Sequence, residues 1–388
     1  MFSLRQYLLA LEDLASLSRT LGEWQVCRRE DGRVWFAAGN TAIVFRIRQG
    51  GRTCALRCFR RRMHRLRAIY GDRLRERELF LFAGSGGGEW VDAVLDEWIE
   101  GETLRRQIDT AAAARDTQRL TQLALAFGRL AAAWVADDWA HGDLKPENIV
   151  VDAGGALHLI DFDTLFLPAF AGERSPELGT AAYQHPRRTA DDFHAALDDY
   201  PAALIATALH ALRLRPELLD RWGGRDGLLF DPSQIAADEA LREVLALFRE
   251  RGDAARYRLA EQLLAPTLHL PRLPMLLEAA CGEVERETAP APSVPAGEWP
   301  ELFVENGRWG YRTAIKTVVP PLYDSGFDFT EGLAAVELAG TWHYIDPTGR
   351  TVIHCPGCEA VKPFRDGAAT VLRDGVRGRI DRTGRNLE

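Results

Sequence analysis

Cysteine, long hydrophobic runs and excess positive charge are scarce or absent in this chain of 388 residues. The six cysteines are too few and too scattered for the disulfide framework of a small secreted domain. The longest apolar stretches, such as 202–211, are too short to span a bilayer. The N-terminus lacks the basic start, apolar core and small-residue cleavage site of a signal peptide. We therefore expect a cytoplasmic protein without a membrane partner.

The rest of the composition is typical of a globular protein with a sizeable core. Hydrophobic residues make up 46% of the chain and charged residues 27%, and the length suggests two or three domains. A net charge of −8 gives no general attraction to nucleic acid, so no nucleic-acid partner is expected. Arginines are concentrated within 57–77. We interpret this cluster as a solvated helix face, with a site for an acidic partner or nucleic acid as the alternative.

The most informative motif occupies residues 141–148, His-Gly-Asp-Leu-Lys-Pro-Glu-Asn. Within it, Asp143 is followed by Lys145 two positions later and by Asn148 five positions later, which is the spacing of a protein-kinase catalytic loop. Asp161 lies thirteen residues after Asn148, directly after a short apolar stretch that is predicted to be a strand. That order and gap match the metal-binding acid of the same enzymes.

Over residues 34–270 the chain resembles the eukaryotic-like Ser/Thr protein kinases of bacteria. The resemblance implies phosphoryl transfer from ATP, with Mg²⁺, to a Ser or Thr hydroxyl of a protein substrate. It implies Asp143 as the base that receives the hydroxyl proton and Lys145 as the cation that neutralises the phosphoryl group. Asn148 and Asp161 would be the magnesium ligands.

The predicted nucleotide site departs from the kinase pattern. Residues 37–44 resemble the Gly-rich loop that covers the phosphates and ends at Val44, but only Gly39 of its three glycines is present. Arg57 stands in the position of the phosphate-binding lysine. It could pair with the α- and β-phosphates, or it could be a surface residue of its strand.

Kinases hold the phosphate-binding cation with an acid on a helix. We predict a helix over 61–81 and favour Glu76 for this role, with Glu78 as the alternative. Either acid could instead pair with a neighbouring arginine in solvent. Residues 95–101, which include Glu97 and Ile99, are predicted to be the strand and hinge whose backbone meets the adenine.

The region after the catalytic loop also resembles a kinase. Residues 179–186 resemble the end of an activation segment, and Asp198 or Asp199 matches the acid that braces the catalytic loop, although a helix start favours an acid in any protein. Gly142 and Asp163 replace the usual residues of the HRD and DFG triplets. Because Gly142 stands in place of an arginine, control by activation-loop phosphorylation is not expected.

The C-terminal part is repetitive. Residues 306–311, Asn-Gly-Arg-Trp-Gly-Tyr, recur as 339–344 and, degenerately, as 374–379. The Trp309-Gly310 pair resembles that of WG repeats. Units of this kind bury their faces by stacking on their neighbours, which predicts a β-rich module that recruits a substrate or partner protein.

The predicted fold class is α+β, a bilobal protein-kinase-like fold followed by a small β-rich WG-repeat domain. The predicted domains are an N-terminal helix (1–20), a β-rich kinase N-lobe (21–99), a helical kinase C-lobe (100–285), a Pro-rich linker (286–299) and a WG-repeat domain (300–388). A linker of this composition predicts that the repeats fold separately from the kinase.

One cysteine motif, Cys355-Pro-Gly-Cys358, lies inside the repeats. A zinc site would need two further ligands, which His354 and Cys281 would have to supply. A degenerate repeat turn is the favoured interpretation.

Two other functions compete with an active protein kinase. A pseudokinase scaffold would explain Arg57 and the depleted Gly-rich loop. A transferase that phosphorylates a small molecule, or transfers AMP, would use the same scaffold with a different pocket. Lys145 favours the protein kinase, because small-molecule phosphotransferases of this type commonly lack a lysine there.

Overall fold

The computed structural model describes residues 1–39, 41–83, 86–224, 226–288 and 299–387, with the backbone alone for 283–288. Three sequence predictions extend beyond these residues. Asn40 of the Gly-rich loop, Gly84 and Ser85 of a glycine-rich turn predicted at 84–88, and 289–298 of the linker lie outside the described part.

The chain is a mixed α and β protein with a β-rich C-terminal region. The helices are α1 (Leu4–Glu12), α2 (Leu14–Leu17), α3 (Leu66–Tyr70), α4 (Leu104–Ala113), α5 (Thr117–Trp134), α6 (Asp199–Leu214), α7 (Leu218–Trp222), α8 (Glu239–Glu250), α9 (Ala254–Glu261) and α10 (Leu273–Thr288). The strands of the first half are β1 (Gln25–Val26), β2 (Phe36–Ala38), β3 (Ala42–Gln49), β4 (Arg52–Phe59), β5 (Leu74–Phe82), β6 (Gly88–Glu97), β7 (Glu102–Thr103), β8 (Ile149–Val151) and β9 (Leu157–Leu159). Those of the C-terminal region are β10 (Glu301–Glu305), β11 (Arg308–Arg312), β12 (Thr317–Tyr323), β13 (Ser325–Gly326), β14 (Ala334–Leu338), β15 (Thr341–Ile345), β16 (Thr351–Cys355), β17 (Cys358–Val361), β18 (Ala368–Arg373), β19 (Val376–Asp381) and β20 (Asn386–Leu387).

Two compact units make up the chain. The first comprises Met1–Gly101 with Asp161–Leu165, and the second comprises Glu102–Ile160 with Phe166–Glu388. In the first unit an antiparallel sheet has the order β1-β3-β4-β6-β5, with β2 paired to β3. The predicted leading helix forms as α1 and α2, and α1 begins with a capping box made by Ser3 and Gln6. It shares an apolar core with the sheet, where the buried Tyr7 hydroxyl donates to the Phe59 carbonyl at 2.5 Å.

The helix predicted over 61–81 is wrong. Only α3 is α-helical there, a 3₁₀ turn occupies Gly71–Arg73, and the chain then enters β5. Leu79 and Leu81, two positions apart on β5, are both buried in the core of the sheet, and β5 pairs with β6. Strand pairing with burial of alternate residues therefore overrides the helix that the sequence predicted. The arginines of 57–77 are therefore not one helix face.

The second unit begins with a helical core. Along α6 every residue up to Arg213 is buried, and α5 and α10 pack against this helix. The short sheet β7-β8-β9 places the segment between Ala140 and β8 at the edge of this core. This is the segment that carries the 141–148 motif.

The C-terminal strands form repeated hairpins. Three consecutive sheets have the orders β10-β11-β12, β13-β14-β15-β16 and β17-β18-β19-β20. In each sheet one hairpin turns through two residues with positive φ, and these pairs are Asn306-Gly307, Ala339-Gly340 and Asp374-Gly375. Two-residue turns with this geometry match the twist of the flanking strands. The structure thus confirms the repeats, with the period that the sequence indicated.

The repeats do not stand apart from the helices. The Leu322 carbonyl accepts from Nε of Arg258 on α9 at 2.9 Å, and the Asp324 carboxylate pairs with Nη2 of the same side chain at 2.8 Å. Apolar residues of β11, β12 and β14 belong to the same core as the helices. The repeats and these helices thus belong to one compact unit, and the contacts between them argue against the predicted separation. Residues 286–288 of the predicted linker belong to α10.

In the described part of the chain, the helices fall short of the length and apolar character that a membrane span requires.

We expect Arg258→Ala to destabilise the second unit by about 2–3 kcal/mol, since it leaves the Leu322 carbonyl without its donor and removes one of the two arginines that pair with Asp324, the other being Arg308. Arg67→Ala is the matched control, because Arg67 is exposed and, among the described residues, has Glu76 as its ion-pair partner, and it should cost under about 0.5 kcal/mol. Urea unfolding followed by circular dichroism measures both. An Arg258→Ala protein whose helical signal unfolds at the wild-type midpoint would contradict the shared core.

Candidate active site

A buried carboxylate holds the backbone of the 141–148 motif. Asp198, just before α6, accepts from the backbone N–H of His141 at 2.5 Å and of Gly142 at 3.0 Å. Burial raises the pKa of Asp198, and the two N–H donors and His141 oppose that shift. The sequence left open whether Asp198 or Asp199 braces the loop. The structure selects Asp198, because Asp199 instead accepts from the Leu270 N–H at 2.7 Å.

The loop brings three of the predicted site residues together. Nζ of Lys145 lies 2.9 Å from Oδ2 of Asp143, and the amide nitrogen of Asn148 donates to the Asp143 carbonyl at 2.9 Å. The other carboxylate oxygen of Asp143 accepts from the Thr180 N–H at 2.6 Å, while the Thr180 hydroxyl accepts from Lys145 at 2.7 Å. The Asp143 carboxylate is therefore fixed from both sides, and a cation stands beside it.

Two residues that the sequence did not single out support this cluster. Gly179 has φ +72°, and a Cβ there would lie 2.9 Å from both Oδ1 of Asp143 and the Gly142 carbonyl, so only glycine fits. The buried Arg188 donates to the same carbonyl at 2.7 Å. Burial lowers the pKa of Arg188, although nearby carboxylates oppose the shift. The Gly-Thr pair that begins the segment 179–186 was a usable signal for Gly179, whereas no local pattern marks Arg188.

The first unit holds a second cluster around Arg57 on β4. Its guanidinium donates to both oxygens of Asp163, from Nε at 3.1 Å and from Nη2 at 2.5 Å, and it also pairs with Asp161. The Tyr70 hydroxyl donates to Asp163 at 2.9 Å. Burial alone would raise the pKa of Asp163, but the positive charge of Arg57 and the hydrogen bonds hold this pKa below its usual value. Arg57 is thus not a surface residue, since 12% of its side chain is exposed.

The helix acid predicted to hold Arg57 is not there. Glu76 lies on β5 and pairs with Arg67 at 2.8 Å, in solvent. The alternative, Glu78, is buried and accepts from the Thr20 N–H and hydroxyl, each at 2.8 Å. Neither carboxylate contacts Arg57, because β5 replaces the predicted helix.

Asp161 has a left-handed backbone, with φ +70°. Aspartate adopts this conformation more readily than most residues, and eight other non-glycine residues of the described part also have a positive φ. The backbone geometry of Asp161 therefore does not by itself mark a functional role.

The remaining predicted nucleotide contacts have the following places. The Gly39 N–H donates to the Ala42 carbonyl at 2.8 Å, and Val44 faces Arg57 across the β3–β4 pair. Glu97 ends β6, and Ile99 follows Trp98. These placements agree with a strand and a connecting segment, but no contact among them identifies a ligand.

The cysteine motif of the repeats is a turn. Cys355 ends β16, Cys358 begins β17, and both thiols are buried in the core of the repeats. Burial raises the pKa of Cys355 to about 12. Across the described residues, no group of three or more His, Cys, Asp or Glu side chains has metal-binding geometry. The interpretation as a repeat turn is the one that these contacts favour.

Comparison with known proteins identifies the C-terminal region. A family model described as "WG containing repeat" matches residues 316–342 and 344–376, which include the hairpin turns at Ala339-Gly340 and Asp374-Gly375. These residues therefore contain WG repeats. No match was found among curated proteins.

We expect Gly179→Ala to destabilise the second unit by about 2–4 kcal/mol, because the left-handed backbone is strained and the new methyl group crowds Asp143. The matched control is Gly172→Ala, where φ is +85° but the space around a Cβ is open, so only the backbone cost of about 1–2 kcal/mol remains. Thermal and urea unfolding measure the difference. Equal losses in the two variants would show that crowding at Asp143 is absent.

Proposed function

We propose that the chain is an ATP- and Mg²⁺-dependent protein kinase with a bilobal kinase-like fold, which transfers the γ-phosphoryl group to Ser or Thr hydroxyls. One observation carries the proposal. The carboxylate of Asp143 is fixed by the Thr180 N–H and lies beside Lys145, on a loop whose backbone is held by Asp198. Phosphoryl transfer needs positioned groups more than covalent chemistry, and this cluster supplies them.

Each residue of the cluster has a role in this proposal. Asp143 accepts a hydrogen bond from the substrate hydroxyl, orients it and receives its proton. Lys145 lies within hydrogen-bond distance of Asp143 and balances the negative charge that develops on the transferred group. Thr180 fixes both side chains, so that neither has to reorganise during the reaction.

The proposed magnesium ligands have suitable chemistry. Mg²⁺ prefers oxygen ligands and is commonly bound by one or two side chains together with substrate phosphates. Asp161 supplies a carboxylate. The amide nitrogen of Asn148 is engaged by Asp143, which leaves the amide oxygen as the ligand atom. When bound, the ion would neutralise phosphate charge.

A pseudokinase scaffold is the second candidate, and one contact favours it. Arg57 pairs with Asp161, the proposed metal ligand, so the phosphate-binding cation and the metal-binding carboxylate neutralise each other. In an active enzyme, nucleotide and metal must replace this contact. A protein in which the contact persists would bind partners without catalysis.

The WG repeats extend the proposal to a partner protein. Their strands and turns carry exposed apolar side chains, among them Val304, Val352 and Val376. Stacked repeats offer an extended surface of the kind that binds proteins. We therefore propose that the repeats recruit a substrate or partner protein from a position packed against the helices.

Asp143→Asn and Asp161→Asn should each lower phosphate incorporation by at least about 100-fold with the fold intact, since one removes the proton acceptor and the other a metal ligand. MgATP affinity should fall for Asp161→Asn and stay near wild type for Asp143→Asn. Transfer from γ-labelled ATP, with mass spectrometry of the products, measures the loss and identifies the acceptor.

Asp220→Asn is the control for both variants, because Asp220 is exposed and Arg115 is its ion-pair partner within the part of the chain that the structure describes. Labelling by the Asp143 and Asp161 variants at the rate of the Asp220 variant would rule out the catalytic assignment. MgATP binding by a wild-type protein that transfers no phosphate would favour the pseudokinase.

A further inference from the structure

Three departures from the kinase pattern meet in the first unit. Arginine replaces the phosphate-binding lysine at Arg57, aspartate replaces the last residue of the DFG triplet at Asp163, and the helix that should carry an acid is replaced by β5. Taken one at a time, each departure weakens the resemblance. In the structure the first two are in direct contact, and together they compensate for the third.

The Asp163 carboxylate is buried and accepts hydrogen bonds from four donor groups. It accepts Nε and Nη2 of Arg57, the Tyr70 hydroxyl and the Thr41 hydroxyl, and 5% of its side chain is exposed. A buried carboxylate is tolerated only when its oxygens are satisfied in this way. Its position therefore does not depend on the nucleotide.

We propose that Asp163 is the positioning residue that holds the Arg57 guanidinium for the nucleotide phosphates, in place of a helix glutamate. This inference rests on the proposed function, because it assigns a role in nucleotide binding. Asp163 acts through Arg57, and Arg57 is the residue that would touch the ligand.

The chemistry of the two side chains explains why they occur together. A guanidinium is a planar fork that can give two parallel hydrogen bonds to one carboxylate and keep further N–H groups for a phosphate. A lysine offers its three N–H donors from a single nitrogen, so it cannot give the two parallel hydrogen bonds to one carboxylate that Arg57 gives to Asp163. Aspartate at position 163 therefore suits arginine at position 57 and would suit lysine less well.

The two carboxylates that share Arg57 differ in burial. The side chain of Asp161 is 38% exposed. That of Asp163 is 5% exposed, and its two oxygens accept the hydrogen bonds from Nε and Nη2 of Arg57. A metal ion could therefore draw Asp161 away while Asp163 keeps Arg57 in place. This division of roles allows Arg57 to pair with Asp161 and still serve the phosphates.

A double-mutant cycle on MgATP affinity tests the inference, with titration of the full-length chain. Asp163→Asn keeps the shape of the side chain and removes its charge, and we expect it to weaken MgATP binding about tenfold. The same change in an Arg57→Ala background should alter the affinity by less than about twofold, because the positioned group is already gone. Thermal unfolding of each variant establishes that it is folded.

Glu76→Gln tests the rival acid, and it should leave MgATP affinity unchanged. Three results would overturn the inference: wild-type affinity in Asp163→Asn, an equal loss in both backgrounds, or a loss in Glu76→Gln instead. An equal loss in both backgrounds would make Asp163 a structural residue only. If the wild-type chain binds no MgATP, the proposed function fails first and the role of Asp163 fails with it.

Discussion

Charge that is removed from water has to be neutralised where it is buried, and this constraint links distant parts of the chain. Arg57 meets Asp163 across 106 positions, and His141 meets Asp198 across 57. Arg258 meets the repeats across 66 positions. In each case a buried polar group requires one particular segment to occupy one particular place. The need to satisfy buried polar groups therefore fixes both the candidate site and the position of the repeats on the helices, although the chemistry of the two places differs.

Local spacing predicted only part of this arrangement. Asp143, Lys145 and Asn148 lie within six positions of one another, so one loop conformation brings them together, and the structure shows that loop. The partner of Arg57 could not be predicted in the same way. It depended on whether 61–81 forms a helix, and the pairing of β5 with β6 decides that question. The prediction that Glu76 holds Arg57 from a helix was wrong, because long-range strand pairing outweighs a weak local preference for helix.

The repeats show the same limit on a larger scale. The hairpins could be predicted because a two-residue turn with positive φ favours glycine, and such glycines recur along the repeats at a nearly constant interval. The Pro-rich composition of 286–299 suggested independence, yet β12 packs against α9 and apolar side chains of the strands share one core with the helices. Composition describes how a connection behaves by itself, whereas contacts such as that of Arg258 with Leu322 decide whether the joined parts are separate. The repeats are therefore held at a fixed position on the helices of the second unit.

The middle hairpin turns at Ala339, where the neighbouring hairpins have Asn306 and Asp374. Asparagine and aspartate tolerate the left-handed conformation through local hydrogen bonds, and alanine has no such compensation. The second repeat consequently closes its hairpin at a local cost of about 1 kcal/mol. Of the three hairpins, the middle one therefore gains least from its own turn and depends most on the packing of its strands against the neighbouring sheets.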